Sequence, residues 1–406
     1  MVDVERLKRS WDHVAAHGDQ VALRFYSRLF VAAPQIRDMF PLSMVAQRDR
    51  LVTALGVTVS HVDDMDRLVP YLQQLGRDHR RFGVGAEHYA PVAEALFSTL
   101  ADFLGPDWTA DLAQDWADAF GLVARIMHEA ATQAADDEPA WWEAEVVAHE
   151  RRTFDIAVLT LQPQGALAYR PGQSMALETA LRPRLWRYYS PANAPRDDGS
   201  IDLHVRRIPG GQVSGVLVDR VDKGDLVRLG GPVGRRLTLP SHSGRDLVMV
   251  AGGTGLAPLK AVLEEVVGRA DAGASPPTTR LFLGARTTRE LYDLDAVRAL
   301  AIDHAWLAVT AVVPEDPLLV DRGWFAGVDG TEEGDVAEVA SRHVARRRDH
   351  QHDDDVYVCG SDRMVQATWQ RLREVGCPAE RIHHEGFQGL GGESNGVLDP
   401  GGTQQP

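Results

Sequence analysis

The sequence is poor in cysteine. Its 406 residues include only Cys359 and Cys377, too few to build a disulfide framework. Such scarcity is typical of a reducing compartment, where disulfides do not persist. We therefore expect a cytoplasmic protein that is stabilised by its hydrophobic core.

Long hydrophobic runs and basic clusters are also lacking. The run 247–259 has 13 uncharged residues, too few to span a bilayer, and the charged start MVDVERLKRSW lacks the apolar core of a signal peptide. The 43 basic and 58 acidic residues give a net charge of −15 that is spread along the chain. Without basic blocks, nucleic acid and anionic membranes are poor partners. We expect no nucleic acid, no membrane span, and a monomer or weak dimer.

The pattern of residues changes along the chain, which is long enough for two or three domains. Residues 1–135 are rich in Ala and Leu with helical periodicity, which predicts an all-α domain. After a linker at 136–143, short strand-like runs between Gly, Pro and Asp turns predict an antiparallel β-barrel at 144–243. Residues 244–388 alternate apolar strands with helices, which predicts a parallel α/β domain. The tail 389–406 has too few apolar residues to form a core, and we expect it to be disordered.

A histidine ends an apolar stripe in the first domain. Leu68, Leu72, Leu75 and His79 are spaced by four, three and four residues. On a helix this spacing places all four side chains on one face, so the imidazole points into an apolar interior. The pattern alone allows a hydrogen-bonded core histidine as well as a ligand.

Two motifs mark the α/β domain, and the first is rich in glycine. GGTGLAP follows an apolar strand and opens a helix, where backbone amides can approach a phosphate. Its candidate binding residues are Gly252, Gly253, Thr254, Gly255, Leu256, Ala257 and Pro258. Because Pro258 replaces the third glycine, the turn departs from the usual Rossmann fingerprint. Further on, VYVCGS places Cys359 and Gly360 at the end of another strand, the edge at which α/β sheets bind ligands.

Two further motifs lie in the barrel segment. RYYS provides a guanidinium, aromatic faces and a hydroxyl at Arg187, Tyr188, Tyr189 and Ser190. GGQVS is a second glycine-rich opening, at 210–214, and its candidate residues are Gly211, Gln212, Val213 and Ser214. Either motif alone could be an ordinary strand and turn.

The order of these four motifs resembles the ferredoxin-reductase-like flavoproteins. The resemblance implies that RYYS and GGQVS bind FAD, with Arg187 on its phosphates and Tyr189 and Ser190 at the isoalloxazine. It also implies that GGTGLAP and Cys359-Gly360 bind the nicotinamide dinucleotide. Ser174 in PGQSM stands where that family has an aromatic residue near the flavin. The family places an aromatic residue against the flavin near the end of its fold, which points to Glu385 and Phe387 in HHEGF.

With the helical domain in front, the chain up to about residue 388 resembles the flavohaemoglobins. The resemblance implies that His79 is the proximal ligand of haem b, with Tyr89 on the same side. Tyr26 and Gln47 then correspond to the distal residues that contact the gas. Phe40 and Leu51 correspond to residues that contact the haem.

One part of the proximal pattern departs from the family. A glutamate on the last globin helix usually orients the proximal histidine, but here Glu129 comes too early and Gln133 occupies the later turn. A carboxylate that accepts from the imidazole makes it a stronger electron donor. Its loss would make the iron less electron-rich.

The activity that the resemblance implies is nitric oxide dioxygenation. NO and O2 would give nitrate, with electrons passing from NAD(P)H to FAD and then to haem. One alternative is a flavin or haem reductase acting on quinones, peroxides or another acceptor, and a second is a gas-binding or sensing globin with a maintenance reductase. The choice between NADH and NADPH stays open, because Arg286 could meet a 2′-phosphate that the acidic residues after it would repel.

Overall fold

The structure is a computed structural model that describes residues 2–241, 244–314, 330–349 and 353–385. These residues form two compact units. The first contains the chain up to Trp141 together with residues 183–185, and the second contains the remaining described residues from Trp142 onward.

The first unit is helical. Its α-helices are α1 (Val4–Ala15), α2 (Asp19–Ala32), α3 (Val45–Ser60), α4 (Met65–His79), α5 (Tyr89–Leu104) and α6 (Ala110–Asp137). Several begin at a side-chain cap, as the sequence favours: the carboxylates of Asp3 and Asp64 and the hydroxyl of Thr109 each accept from a backbone N–H three residues on. Pro70 lies inside α4 and does not break it.

Two apolar clusters hold this unit together. One is built from α1, α2, α5 and α6 and contains Trp11, Phe25, Tyr26 and Trp116. The other lies between α4 and α6, where the helices come so close at Gly76 that a Cβ there would be 2.2 Å from the Met127 carbonyl oxygen. Only glycine allows this approach, and it brings the stripe that ends at His79 against α6.

The second unit begins with an antiparallel sheet. Its strands are β1 (Trp142–Arg151), β2 (Ile156–Pro163), β3 (Ser174–Thr179), β4 (Arg187–Tyr189), β5 (Ile201–Arg206) and β6 (Leu226–Val233), in the order β4-β3-β6-β1-β2-β5. A bridge between Pro191 and Leu203 joins the chain just after β4, at one edge, to β5 at the other. The sheet is thus nearly closed on itself as a barrel. The short helix α7 (Ser214–Asp219) follows β5.

A parallel sheet with flanking helices completes this unit. Its strands are β7 (Leu247–Gly252), β8 (Thr279–Gly284), β9 (Leu307–Val313), β10 (Gly330–Glu333), β11 (Asp355–Cys359) and β12 (Ile382–His384). Its helices are α8 (Leu256–Asp271), α9 (Leu294–Asp303), α10 (Val336–Asp349) and α11 (Asp362–Glu374). The strand order is β10-β9-β8-β7-β11-β12, so the chain changes direction between β7 and β11. At such a switch point a crevice opens at the carboxyl ends of the strands.

The predicted fold class is confirmed: an all-α domain, an antiparallel barrel and a parallel α/β domain follow one another. Phe387 and the tail 389–406 lie outside the described residues. Within the described ranges, no helix has both the length and the apolar character that crossing a membrane requires.

Candidate functional site

His79 is the last residue of α4. Its ring Nδ1 lies 2.7 Å from the carbonyl oxygen of Leu75, one turn earlier, so Nδ1 carries the proton and donates. This bond leaves the lone pair of Nε2 available for a metal, since no described residue makes a hydrogen bond to that nitrogen. Burial lowers the pKa of His79, partly opposed by the bond to Leu75, and this favours the neutral ring that a metal requires.

The proton on Nδ1 of His79 is donated to a backbone carbonyl and not to a carboxylate. Glu129 is exposed and pairs with Arg125 at 3.5 Å, and Gln133 is exposed as well. Tyr89 is half-buried, with its ring 6.5 Å from that of His128. The imidazole therefore donates to a neutral backbone carbonyl, which gives it less electron-donating character than a carboxylate partner would.

Tyr26 lies on α2 inside a group of aromatic rings. It is 6% exposed, stacks on Phe30 with centroids 5.6 Å apart, and meets Phe40 edge-on at 5.4 Å. Its hydroxyl is 3.4 Å from the backbone carbonyl oxygen of Gln47 on α3, so the contact uses the main chain of Gln47 and not its amide. Burial raises the pKa of Tyr26 well above its usual value, and the phenol stays protonated as a donor.

Many apolar side chains of the helical unit are only partly covered. On α3, Val59 is the only buried side chain, although the helix also carries Leu51 and Leu55. Other partly buried apolar side chains of this unit are Phe30, Phe40, Val92 and Phe97. Apolar side chains left half-covered, together with one imidazole that has a free lone pair, fit a bound haem.

The RYYS motif forms β4 and the residue that follows it. β4 pairs with β3, so that Tyr189 lies opposite Met175 and Arg187 opposite Leu177. Arg187 donates from Nη1 to the carbonyl of Trp186 at 2.8 Å. Tyr189 is half-exposed, and burial of its hydroxyl raises its pKa well above its usual value.

Ser174, Ser190 and Glu385 come together in the second unit. The Ser174 and Ser190 hydroxyls are 3.1 Å apart, and the Ser174 hydroxyl lies 3.2 and 3.3 Å from the two carboxylate oxygens of Glu385. Glu385 follows β12, so it belongs to the parallel-sheet side and the serines to the barrel. Hydroxyls and a carboxylate in one cluster fit a polar ring system such as a flavin, which has both donors and acceptors.

The GGQVS stretch makes a tight turn before α7. Gly210 has φ of +75°, a conformation that favours glycine, and the Ser214 hydroxyl accepts from the Ile208 amide at 3.2 Å. A Cβ at Gly211 would lie 2.6 Å from the Ser214 Oγ. Val213 and Ser214 are buried, whereas Gln212 is exposed.

The GGTG turn and Cys359 lie at the switch point. Gly253 has φ of +53°, and a Cβ there would lie 3.0 Å from the Arg206 guanidinium. A Cβ at Gly255 would lie 2.2 Å from the carbonyl oxygen of Cys359. Thr254 is half-buried, and Leu256, Ala257 and Pro258 are the buried first turn of α8. The missing side chains leave a backbone cradle that fits a pyrophosphate.

The Cys359 thiol is not set up as a nucleophile. Burial raises its pKa well above its usual value, and the charge of Glu385 raises it further. A neutral thiol next to Gly360 gives the crevice a small wall. The effect of the Glu385 charge on the pKa of Cys359 also shows that Cys359 lies near the cluster of Ser174, Ser190 and Glu385.

Sequence reasoning missed several polar residues of this crevice. Arg206 on β5 reaches the GGTG turn, and His204 on the same strand bonds to Tyr292. No motif marks them, since their partners come from distant parts of the chain. In the globin, the charge of Arg50 acts on the Tyr26 hydroxyl, which the sequence pattern also did not indicate.

Comparison with protein families agrees with this architecture. The globin family model matches residues 23–127, the oxidoreductase FAD-binding domain matches 142–237, and the oxidoreductase NAD-binding domain matches 249–370. These three domains account for the helical unit, the barrel and the parallel sheet.

Similar proteins extend along the whole chain. The Flavohemoprotein of Chromobacterium violaceum is 30% identical over 398 residues, covering 91% of this chain and 94% of that protein. The Flavohemoprotein of Bacillus subtilis is 26% identical over 400 residues, covering 95% and 96%. The crystal structure of a flavohemoglobin from Malassezia yamatoensis, with bound FAD and heme, has a TM-score of 0.72 at 17% identity and covers 94% of this chain and 97% of that one, a likeness of fold.

The resemblance predicted from the motifs is thus confirmed along nearly the full length. Haem, FAD and a nicotinamide dinucleotide are the cofactors of these three domains. The chain belongs to the flavohemoprotein family and is an NAD(P)H-dependent oxidoreductase.

Proposed function

We propose that this oxidoreductase is a nitric oxide dioxygenase that converts NO and O2 to nitrate with electrons from NAD(P)H. The observation that carries the proposal is the buried, protonated phenol of Tyr26, enclosed by aromatic rings in a globin that has a flavin reductase on the same chain. When bound, haem would supply an iron site for the two gases. FAD would accept the two electrons of a hydride and release them one at a time.

Tyr26 is the residue we assign to the gas. Its hydroxyl donates to a carbonyl 3.4 Å away, a long bond that is easily exchanged for a better acceptor. Phe30 and Phe40 exclude water from the phenol, and in dry surroundings a donor stabilises developing negative charge more strongly than in water. Gln47 supplies the carbonyl that orients the hydroxyl.

His79 is the residue we assign to the iron. The bond from Nδ1 to the Leu75 carbonyl fixes the tautomer and the rotation of the ring. Phe82 packs edge-on against the imidazole, with centroids 6.4 Å apart, and limits its movement. We assign Tyr89 to the same side of the haem, and Phe40 and Leu51 to the apolar contacts with it.

The serine and glutamate cluster is assigned to the flavin ring. The Ser174 hydroxyl donates to the Glu385 carboxylate and so orients it, and the Ser190 hydroxyl can donate to a ring acceptor. Arg187, Tyr188 and Tyr189 on β4 and the turn at 211–214 are assigned to the remainder of FAD. The turn at 252–258 and Cys359-Gly360 are assigned to the nicotinamide dinucleotide.

One observation favours a second activity. Because His79 donates to a backbone carbonyl and Glu129 is exposed, the iron would be less electron-rich than with a carboxylate partner. If this slows the haem reaction, electrons would leave from the flavin to quinones, peroxides or another acceptor.

The test follows NO with an electrode in aerated buffer with purified holoenzyme and NADH, and measures nitrate at the end. The proposal expects one nitrate for each NO lost, and no comparable loss without O2 or NADH. The matched variant Tyr26→Phe should retain flavin reduction and lose most NO consumption. Flavin reduction at full rate without NADH-dependent nitrate would instead support the reductase activity.

A further inference from the structure

One face of β5 carries a row of polar side chains that meet the parallel-sheet domain. Asp202, His204 and Arg206 alternate along the strand, so their side chains share one face. His204 meets Tyr292, which lies just before α9, and Arg206 meets the GGTG turn. The barrel and the parallel sheet thus contact each other through polar groups next to the dinucleotide crevice.

His204 is the most enclosed member of this row. Its side chain is 1% exposed, and its Nδ1 lies 2.7 Å from the Tyr292 hydroxyl. Nε2 lies 3.8 Å from Asp293, a carboxylate 3% exposed that also accepts from Lys260 at 3.0 Å. Lys260 forms an ion pair with Asp293 and balances its charge. The His204 imidazole is therefore neutral beside this ion pair.

The hydrogen-bond directions follow from this arrangement. Burial lowers the pKa of His204 to about 4 and raises the pKa of Tyr292 well above its usual value, so both groups are neutral near pH 7. The tyrosine then donates to Nδ1, and the proton on Nε2 points towards Asp293. The ring of Tyr292 meets that of His204 edge-on at 5.3 Å, so the contact is both polar and aromatic.

Tyr292 also belongs to the crevice. Its ring is half-buried against the same core as Cys359 and Ala285, which lie at the carboxyl ends of β11 and β8. The charges of Asp293 and Arg206 act on its hydroxyl, so the hydroxyl lies close to the arginine that reaches the GGTG turn. The core of the parallel sheet therefore packs against the Tyr292 ring, and His204 contacts the same ring from the barrel.

We propose that His204 is a positioning residue that fixes the ring of Tyr292 as a wall of the dinucleotide crevice, and so sets the approach of the nicotinamide to the flavin. The role does not depend on NO as the substrate, because it concerns only the reduction of the flavin. Hydride transfer is sensitive to geometry, and a displacement of about 1 Å can cost roughly 100-fold in rate. The hydrogen bond should therefore affect the rate of flavin reduction more than dinucleotide affinity.

The experiment measures anaerobic flavin reduction by NADH in a stopped-flow instrument, together with NAD⁺ affinity by calorimetry, flavin content and melting temperature. Tyr292→Phe keeps the ring and removes the donor, and His204→Ala removes the acceptor. Each should slow the limiting reduction rate about 10- to 100-fold, with NAD⁺ affinity within threefold and normal flavin content. The double variant should be no slower than the slower single variant, because both remove the same bond.

A rescue and a control separate positioning from stability. His204→Asn places a carboxamide oxygen near the position of Nδ1, and it should restore the rate to within threefold of the parent. His343→Ala removes another imidazole of the same compact unit, on α10 and packed on Phe282 with centroids 5.3 Å apart, and should leave reduction unchanged. Parent rates in Tyr292→Phe, additive effects in the double variant, or a loss confined to NAD⁺ affinity would each overturn the proposal.

Discussion

The globin and the parallel-sheet domain hold their candidate residues by opposite means. In the globin, Tyr26 and His79 are large side chains fixed by apolar packing and by one hydrogen bond each to a backbone carbonyl. At the sheet edge, Gly253 and Gly255 act through the absence of side chains, which lets backbone segments approach closely. We therefore expect the globin site to lose its ligands when a functional group is removed. We expect the sheet edge to lose dinucleotide-dependent flavin reduction when a methyl group is added.

The largest expected effect is at His79. His79→Ala removes the one imidazole assigned to the iron, so haem should be lost or held weakly, and added imidazole should restore binding. NADH oxidation with an artificial acceptor should stay near the parent rate, because those electrons leave from the flavin. The measurement is the ferrous and ferrous-CO spectrum with and without imidazole.

A histidine that only fills the core predicts a different outcome. The variant would melt at a lower temperature, but the haem it retains would have the parent ligand field. Soret positions equal to those of the parent without imidazole would remove His79 from the iron assignment. His61 and His88 would then be the next candidates, although neither continues the apolar stripe of α4.

The added methyl group tests the other side of the comparison. A Cβ at Gly255 would lie 2.2 Å from the Cys359 carbonyl oxygen, so Gly255→Ala must displace β11 or the GGTG turn. We expect a loss of about 1–3 kcal/mol in stability and a fall of roughly 100-fold in flavin reduction by NADH. The haem spectrum should not change. Denaturant melts and stopped-flow reduction measure the two effects.

A control for this substitution lies on the helix that follows the turn. Apart from its chain neighbours and the backbone of its own helix, Gly268 on α8 has no atom within 4 Å of the position that its Cβ would take. Gly268→Ala should therefore leave flavin reduction unchanged and raise stability by about 0.5–1 kcal/mol, because alanine favours the helix. Equal effects at both glycines would show that close approach is not what the turn requires.

The distal phenol should give an intermediate effect. Tyr26→Phe deletes one donor, and a hydrogen bond to a charged acceptor contributes roughly 1.5–3 kcal/mol, so O2 dissociation should be about 10- to 100-fold faster. Flash photolysis or stopped-flow mixing of the ferrous protein with O2 gives the rate. An unaltered dissociation rate would mean that Tyr26 does not face the gas.

The sequence predicted the local features of both regions. The spacing from Leu68 to His79 predicted a helix with the histidine on its apolar face. α4 begins after its cap Asp64 and ends at His79, where the chain tightens into a 3₁₀ turn. The spacing of apolar residues and the positions of glycines in turns depend only on residues close in sequence, so the sequence alone can predict helices, strands and turns. The proline at position 70 is the exception, since tertiary packing keeps α4 continuous through it.

The contacts that complete the site depend on distant pairs. Ser174 and Glu385 are 211 residues apart, and His204 and Tyr292 are 88 apart, so only the sheet order brings them together. The contact of Tyr26 with the backbone of Gln47 could not be predicted from the type of side chain at that position. Motif order therefore predicted the domains and the cofactors, while the polar contacts between elements required the structure.

The smallest expected effect concerns the choice of dinucleotide at the edge of the crevice. Arg286, after β8, could meet the 2′-phosphate of NADPH, but its fork is held by both carboxylate oxygens of Glu290, at 2.9 and 3.1 Å. Glu290 also lies 3.9 Å from Arg206, so one carboxylate faces two arginines next to the GGTG turn. We therefore expect NADH to be preferred, since a 2′-phosphate would have to displace Glu290 and would be repelled by it.

Glu290→Gln tests this preference by removing the charge and keeping the shape. Arg286 is 75% exposed, and an exposed pair contributes up to about 1 kcal/mol, so kcat/KM for NADPH should rise roughly fivefold relative to NADH. Calorimetry with 2′,5′-ADP and 5′-ADP measures the same preference without the flavin reaction. Glu374→Gln on α11 makes an equal change in net charge at an exposed position and should alter neither ratio. If the ratio also rises in Glu374→Gln, net charge governs the choice; if it rises in neither variant, Glu290 does not set it.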